Sequence, residues 1–147
     1  MDRRDEIPTA TRPAQPGLGY ALDHICAGAH TLVAWKYKAT DEFKAWLASL
    51  SERERAAVLA DLVVLTSYGP ALGRPRVDTV AGSRYPNMKE LRTRALPTFF
   101  VFDPCRNAVL LIGGDKRGEK RFYDRMVAFA DRLYDVYLDD LRRKNRT

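Results

Sequence analysis

Residues 99–112 have the sequence FFVFDPCRNAVLLI, in which two nearly continuous apolar runs flank an Asp-Pro turn. Apolar runs without polar alternation are typical of strands in the middle of a sheet that helices cover on at least one face. The turn at Asp103-Pro104 predicts that the two strands form a hairpin. We therefore expect a sheet built around this hairpin, with helices packed against it.

Two helices are predicted on the N-terminal side of the hairpin. From Asp41 to Leu50 the apolar residues recur at i, i+3, i+4 and i+7, which forms one stripe of a short helix, and Thr40 is placed to cap it. The sequence Ser51-Glu52-Arg53-Glu54 matches a capping box, so a second helix begins there. Gly69-Pro70 ends it. Two helices in such close succession form a helical hairpin.

The remaining elements complete an α+β order. Residues 31–38 predict a first strand, and residues 78–81 and 88–94 predict two short strands. Residues 119–143 carry an apolar stripe with the period of a helix. The expected fold is a strand, a helical hairpin, a mainly antiparallel sheet of three to four strands, and a C-terminal helix.

Composition limits the class of protein. A chain of 147 residues can bury one proper core, and 46% hydrophobic with 30% charged residues is typical of a globular protein. Neither a membrane-spanning run nor a secretory signal is visible, so we expect a cytoplasmic protein without a membrane partner. Cys26 and Cys105 form no CxxC pair, and we expect free thiols. Pro and Gly among polar residues predict a flexible extension over residues 1–28, before a domain over residues 29–147.

Positive charge is concentrated in the second part of the chain. The formal net charge is +6. From Met1 to Pro70, eight Lys or Arg residues stand against nine Asp or Glu residues, whereas from Ala71 to Thr147 the counts are seventeen and ten. Such a distribution indicates either a basic face that meets phosphates or an ordinary solvated surface.

The basic half contains segments that combine cations with a phenol. These segments are Gly82-Ser83-Arg84, Asn87-Met88-Lys89-Glu90-Leu91-Arg92, Gly113-Gly114-Asp115-Lys116-Arg117 and Phe122-Tyr123. Guanidinium groups bind phosphate oxygens in pairs, and a titratable hydroxyl can move a proton near the reacting atom. No cluster of metal ligands accompanies them, so we expect nucleic-acid backbone chemistry without a metal or another cofactor.

The element order and these motifs resemble the RelE/ParE toxin superfamily and, more narrowly, its HigB-like, phage-derived branch. The resemblance covers roughly residues 31 to 141. It rests on the helix Phe43 to Leu50 with its Trp-Leu pair, Tyr68-Gly69-Pro70-Ala71-Leu72, Gly82-Ser83-Arg84, the segment from Asn87 to Arg92, Phe102-Asp103-Pro104 with Arg106, Gly114-Asp115-Lys116, and Phe122-Tyr123.

The resemblance implies a RelE-like fold and a function. It implies the toxin of a type II toxin–antitoxin pair, an endoribonuclease that cuts messenger RNA in the ribosomal A site and so inhibits translation. The implied chemistry is metal-free, with the ribose 2′-OH attacking the adjacent phosphate. The implied partners are a cognate helix-turn-helix antitoxin and mRNA on the ribosome.

The resemblance also implies roles for individual residues. Arg92 resembles the family arginine that stabilises the negative charge of the phosphorane. Lys116 or Arg117 resembles the cation beside the leaving 5′ oxygen. Tyr123 resembles the residue that transfers a proton, and Lys116, Arg117 and Lys120 would have to favour its anion, since an ordinary phenol has a pKa of about 10. The expected RNA contacts are Arg84, Lys89, Arg94, Arg106, Lys120 and Arg121.

Each role has an alternative, and one feature departs from the family pattern. Arg92 could be a surface strand residue, Arg117 a turn cation, and Tyr123 a flank of the core. Members of the branch carry an arginine in the next strand, where this sequence has Pro97 or Thr98. The open alternatives are therefore a ParE-like gyrase-targeting toxin and a catalytically inactive module that binds nucleic acid or antitoxin.

Overall fold

The computed structural model describes residues 35–145. The expected extension over residues 1–28 and the beginning of the expected first strand lie outside the described residues. Within the described range, the predicted α+β order is confirmed. Its elements are β1 (Lys36–Ala39), α1 (Asp41–Ser49), α2 (Glu52–Tyr68) with a 3-10 turn (Gly69–Ala71), β2 (Val77–Thr79), β3 (Lys89–Thr93), β4 (Leu96–Phe102), β5 (Asn107–Gly113) and α3 (Phe122–Asn145).

The strands form one sheet in the order β1-β5-β4-β3-β2. β1 runs parallel to β5, and the other neighbours are antiparallel. The predicted hairpin is therefore β4 and β5, at the centre of the sheet. β4 begins at Leu96, earlier than the apolar run suggested, because residues 96–98 continue the antiparallel pairing with β3.

Helices cover both faces of the sheet. One apolar cluster lies between the sheet and the α1–α2 pair, and a second lies between the sheet and α3. The first cluster contains Phe43, Val58, Leu62, Leu65, Val77, Leu91, Leu96, Phe100, Ala108 and Leu110. The second contains Met88, Phe99, Val101, Val109, Leu111, Ile112, Phe122, Met126, Val127, Ala130 and Tyr134. Two-sided burial explains why β4 and β5 lack polar alternation.

The predicted helix caps are present. The Thr40 hydroxyl accepts the backbone N–H of Phe43 at 2.9 Å and donates to the carbonyl of Leu111 in β5 at 2.6 Å. Ser51 and Glu54 exchange the two hydrogen bonds of a capping box, at 3.1 and 3.3 Å. These contacts satisfy free amides at both helix starts, and the Thr40 contact also ties α1 to the sheet.

The turn between β4 and β5 is organised by Asp103, which is 3% exposed. Its carboxylate accepts the backbone N–H groups of Cys105 and Asn107 at 2.8 and 2.9 Å, and the Tyr137 hydroxyl of α3 at 2.7 Å. Cys105 is buried in this turn and disulfide-bonded. The expectation of a free thiol is therefore wrong for Cys105, and Cys26 lies outside the described residues.

Between residues 35 and 145, no helix is both long enough and apolar enough to span a bilayer.

The end of β5 packs tightly against α1, which gives a test of the fold. A Cβ atom at Gly113 would lie 2.2 Å from a ring carbon of Trp46. We expect Gly113→Ala to lower the free energy of unfolding by about 1–3 kcal/mol, the usual effect of overpacking a core. Urea denaturation followed by circular dichroism measures it.

Gly73→Ala is the matched control, because a Cβ at Gly73 meets no atom within 4 Å. Its free energy of unfolding should stay within about 0.5 kcal/mol of wild type. Equal denaturation midpoints for Gly113→Ala and wild type would contradict the packing of Trp46 on β5.

Candidate functional site

The pleat of β3 separates its side chains onto two faces. Leu91 packs in the cluster beneath α1 and α2. Glu90 and Arg92 alternate with Leu91 and therefore lie on the other face, where α3 packs. Glu90 is buried and Arg92 is half-buried, and buried charged side chains are rare unless they are paired, so the contacts of this pair identify the candidate site.

Glu90 lies at the centre of this site, and its side chain is only 6% exposed. One carboxylate oxygen accepts the Tyr123 hydroxyl at 2.7 Å. The other accepts both Nε and a terminal nitrogen of Arg92, each at 3.2 Å. Glu90 is a site residue that was not expected from the sequence, although its spacing of two residues from Arg92 in a strand places both on one face.

Arg92 contacts a second carboxylate, that of Asp78 on β2, at 3.2 Å. Asp78 is the direct cross-strand partner of Glu90 and also pairs with Arg74 at 3.2 Å. Arg92 therefore lies between two carboxylates, with 39% of its side chain exposed. A phosphate that binds Arg92 would have to compete with Asp78 for its outer nitrogen.

Tyr123 lies in the first turn of α3, with its ring edge-on to Phe99 of β4 at 5.9 Å. Burial, followed by the hydrogen bond to Glu90 and its charge, raises the pKa of Tyr123 to about 12. Arg92 acts in the opposite direction but does not outweigh them. The expectation that Lys116, Arg117 and Lys120 favour the phenolate is therefore wrong, because the buried carboxylate of Glu90 is the partner that the hydroxyl meets. At neutral pH the phenol keeps its proton and can act as a donor.

The two candidates for the second cation differ in their surroundings. Arg117 forms a paired contact with Asp115, at 2.8 and 2.5 Å, and lies 3.8 Å from Glu54 at the start of α2. Lys116 is exposed, and its backbone N–H donates to the carbonyl of Ala95 at 3.0 Å, which fixes its loop beside the β3–β4 turn. Among residues 35–145, no hydrogen bond or ion pair joins either side chain to Glu90, Arg92 or Tyr123.

Three expected RNA contacts lie away from Arg92. Arg84 binds Asp135 of α3 through two nitrogens, at 3.3 and 2.7 Å. Lys89 lies on the opposite face of β3 and donates to Thr79 at 3.3 Å. Arg106 lies in the β4–β5 turn, at the far end of the hairpin, over the ring of Trp35 at 4.7 Å. The structure does not bring Lys89 and Arg106 together with the site, whereas Arg84 lines the same cleft as Tyr123 but is bound by Asp135.

Three other expected contacts lie at the same end of the sheet as Arg92 or just before Tyr123. Arg94 is exposed in the turn between β3 and β4, where its φ is 58°. Lys120 and Arg121 are exposed immediately before α3. Arg121 lies 3.5 Å from Asp124, a pair that is mostly in solvent.

Where members of the HigB-like branch carry an arginine in the strand after Arg92, this chain has a buried proline. Pro97 is the cross-strand partner of Arg92. Thr98 pairs with Leu91 and is fully buried, with no hydrogen-bond partner for its hydroxyl among the described residues. On this part of β4, neither residue adds a cation beside Arg92.

The three side chains of the site can each perform one chemical role. Glu90 can accept a proton, Tyr123 can donate one, and Arg92 can stabilise negative charge. In the described range 35–145, no three His, Cys, Asp or Glu side chains are grouped so as to hold a metal ion.

Comparison with solved structures gives a partial match. The crystal structure of the toxin–antitoxin complex RelBE2 from Mycobacterium tuberculosis aligns with a TM-score of 0.47 and 17% identity, over 57% of this chain and 100% of that one.

Comparison of sequences gives closer relatives. The family model for phage-derived proteins of the Gp49-like type matches residues 45–135. A protein named "Putative toxin HigB2" from Mycobacterium tuberculosis is 39% identical over 115 residues, which is 72% of this chain and 57% of the relative. A second, "Putative toxin HigB3" from the same organism, is 43% identical over 96 residues, which is 63% of this chain and 84% of the relative. The chain thus spans just over half the length of the first relative. The resemblance to the HigB-like branch is confirmed, and the chain belongs to the phage-derived Gp49-like family.

Proposed function

We propose that this protein is the toxin of a type II toxin–antitoxin pair and cleaves messenger RNA on the ribosome, which inhibits translation. Membership of the Gp49-like family supports the proposal, as do two relatives whose names describe them as toxins. The observation that carries it is the pairing of Glu90 with both Tyr123 and Arg92 on one sheet face. These are the groups that a metal-free cleavage of RNA requires.

The proposed reaction is attack of the ribose 2′ oxygen on the adjacent phosphorus. The new bond forms as the bond from phosphorus to the 5′ oxygen breaks, leaving a 2′,3′-cyclic phosphate and a 5′-OH. Glu90 takes the proton of the 2′-OH, and Tyr123 gives its phenolic proton to the 5′ oxygen. Because the two side chains share a hydrogen bond of 2.7 Å, the proton on Glu90 can return to Tyr123. The pair is then restored for another cycle.

In this scheme Arg92 stabilises the charge of the phosphorane. Its planar guanidinium can bind two phosphate oxygens, which a Lys ammonium cannot do with the same geometry. The phosphate replaces Asp78, which is the more exposed of the two carboxylates that bind Arg92. Glu90 keeps the guanidinium in place during that exchange.

A second cation is proposed beside the leaving 5′ oxygen. Lys116 is favoured over Arg117, because two carboxylates already hold Arg117 whereas the Lys116 loop is fixed at the β3–β4 turn. Arg84, Lys89, Arg94, Arg106, Lys120 and Arg121 remain proposed contacts for RNA or the ribosome.

The proposed setting follows the same family resemblance. The partners are a cognate helix-turn-helix antitoxin and mRNA on the ribosome, and the place of action is the cytoplasm. No cofactor takes part in the proposed chemistry. Residues 29–147 are proposed to form the toxin domain, and residues 1–28 a flexible extension.

Cleavage on the ribosome tests the proposal directly. Purified protein is added to ribosomes programmed with mRNA, and the 3′ ends of the products are mapped. Wild type should cut in the A site. Arg92→Ala should slow cleavage by about 10²–10³, the effect of losing one group that stabilises developing charge. Tyr123→Phe should slow it by about 10²–10⁴, the usual contribution of a proton donor.

Arg142→Ala is the matched control, because Arg142 lies in the last turn of α3 and is mostly exposed. It should cut like wild type. In the same assay Lys116→Ala should lose more activity than Arg117→Ala. Growth arrest without A-site cuts would contradict the proposal, and DNA cleavage complexes with intact mRNA would instead indicate a gyrase-targeting toxin.

The ionisation of Tyr123 provides a second test. Because its pKa is raised to about 12, the hydroxyl should stay protonated at about pH 10, where an ordinary tyrosine is half ionised. The carbon-13 shift of the tyrosine Cζ atom reports ionisation, and Tyr123→Phe identifies the signal. In Glu90→Gln the transition should move to lower pH. A signal half shifted at or below about pH 10 in wild type would contradict the role of proton donor.

A further inference from the structure

A cleft of about 340 Å³ opens beside Tyr123. One wall is the segment 81–84, and the other is the face of α3 that runs from Tyr123 to Arg132. Between these ends Ala128 is exposed, whereas Val127 forms the floor of the cleft and is only 4% exposed. Its volume lies within the range of about 300–1,000 Å³ that is usual for ligand sites.

The wall formed by segment 81–84 is fixed to α3 by buried polar contacts. Asp131, which is 4% exposed, accepts the Ser83 hydroxyl at 2.5 Å and the backbone N–H of Arg84 at 2.9 Å. Asp135 binds the Arg84 guanidinium and also accepts the hydroxyl of Tyr85. The Gly82-Ser83-Arg84 motif therefore shapes the cleft, and its arginine is already neutralised by the helix.

Among the charged side chains that line the cleft, one cation, Arg132, can bind an anion. Arg132 is exposed and stacks over Phe129 at 5.5 Å, and it has no carboxylate partner among residues 35–145. The two carboxylates of the cleft both have partners, Asp131 as described and Asp124 with Arg121 at 3.5 Å. An anion that enters the cleft can therefore bind Arg132 without breaking an ion pair.

We propose that this cleft binds single-stranded RNA next to the scissile phosphate, with Arg132 on a backbone phosphate of the flanking nucleotides. The inference rests on the proposed function, because Tyr123 belongs both to the reacting site and to the cleft wall. From Tyr123 to Arg132, α3 rises by about 13 Å, at 1.5 Å per residue, which is enough for one or two nucleotides. The ring of Tyr123 offers an aromatic surface to a base, and Arg132 offers charge to the backbone. Sites that bind single strands combine aromatic rings with cations in this way.

Binding of an uncleavable RNA tests this inference independently of catalysis. The probe is a fluorescent RNA octamer whose 2′-hydroxyls are replaced by 2′-fluoro groups, so that attack by a 2′ oxygen is impossible. Anisotropy titrations of the wild-type chain at several salt concentrations give the slope of log Kd against log salt. Arg132→Gln should weaken binding and reduce this slope by about 0.7, the change for one phosphate contact on a single strand.

Arg142→Gln, on the same helix but outside the cleft, should leave affinity and slope unchanged. A wild-type slope in Arg132→Gln would overturn the inference, and so would an equal loss in both variants, which would indicate general charge attraction. The two proposals fail separately. If A-site cleavage is absent but binding still depends on Arg132, only the proposed function is contradicted. If cleavage is normal but binding does not depend on Arg132, only the proposed binding of RNA in the cleft is contradicted.

Discussion

Helices cover both faces of the central β4–β5 hairpin. This burial limits the positions at which the sheet can carry charged side chains. A buried sheet accepts a charged side chain only where partners satisfy it. That condition is met at β3, the strand next to the hairpin, close to the start of α3. There the carboxylate of Glu90 receives hydrogen bonds from Tyr123 and Arg92. The candidate site therefore lies at the margin of the core, where Glu90 is buried and the Arg92 side chain is 39% exposed.

The hydrogen bonds of Glu90 fix the position of the Arg92 guanidinium and, after burial, are the next cause of the raised pKa of Tyr123. A carboxylate with 6% exposure loses most of its hydration, so it needs donors of fixed geometry. The same contacts hold the Arg92 guanidinium in place and favour the protonated phenol of Tyr123. The carboxylate of Glu90 thus holds the Arg92 guanidinium in place and keeps the Tyr123 phenol protonated, as the proposed reaction requires.

Much of the fold could be predicted because its signals are local. The Thr40 cap, the Ser51–Glu54 capping box and the Asp103 turn each depend on residues at most four positions apart. The site could not be predicted to the same extent, since its contacts join distant residues. Glu90 and Tyr123 are 33 positions apart, and Ser83 and Asp131 are 48 apart. The cations near Tyr123 in the sequence therefore do not indicate the direction of its pKa shift, because burial and then the distant carboxylate of Glu90 raise that pKa.

In the proposed reaction, Glu90 accepts the proton of the attacking 2′-OH. Single-turnover cleavage of A-site mRNA by Glu90→Gln tests this step, because glutamine keeps the size of the side chain but cannot serve as the base. Circular dichroism should show an unchanged fold. We predict that the cleavage rate falls by about 10²–10⁴, the usual contribution of a general base. Cleavage at the wild-type rate by folded Glu90→Gln would show that Glu90 is not the base.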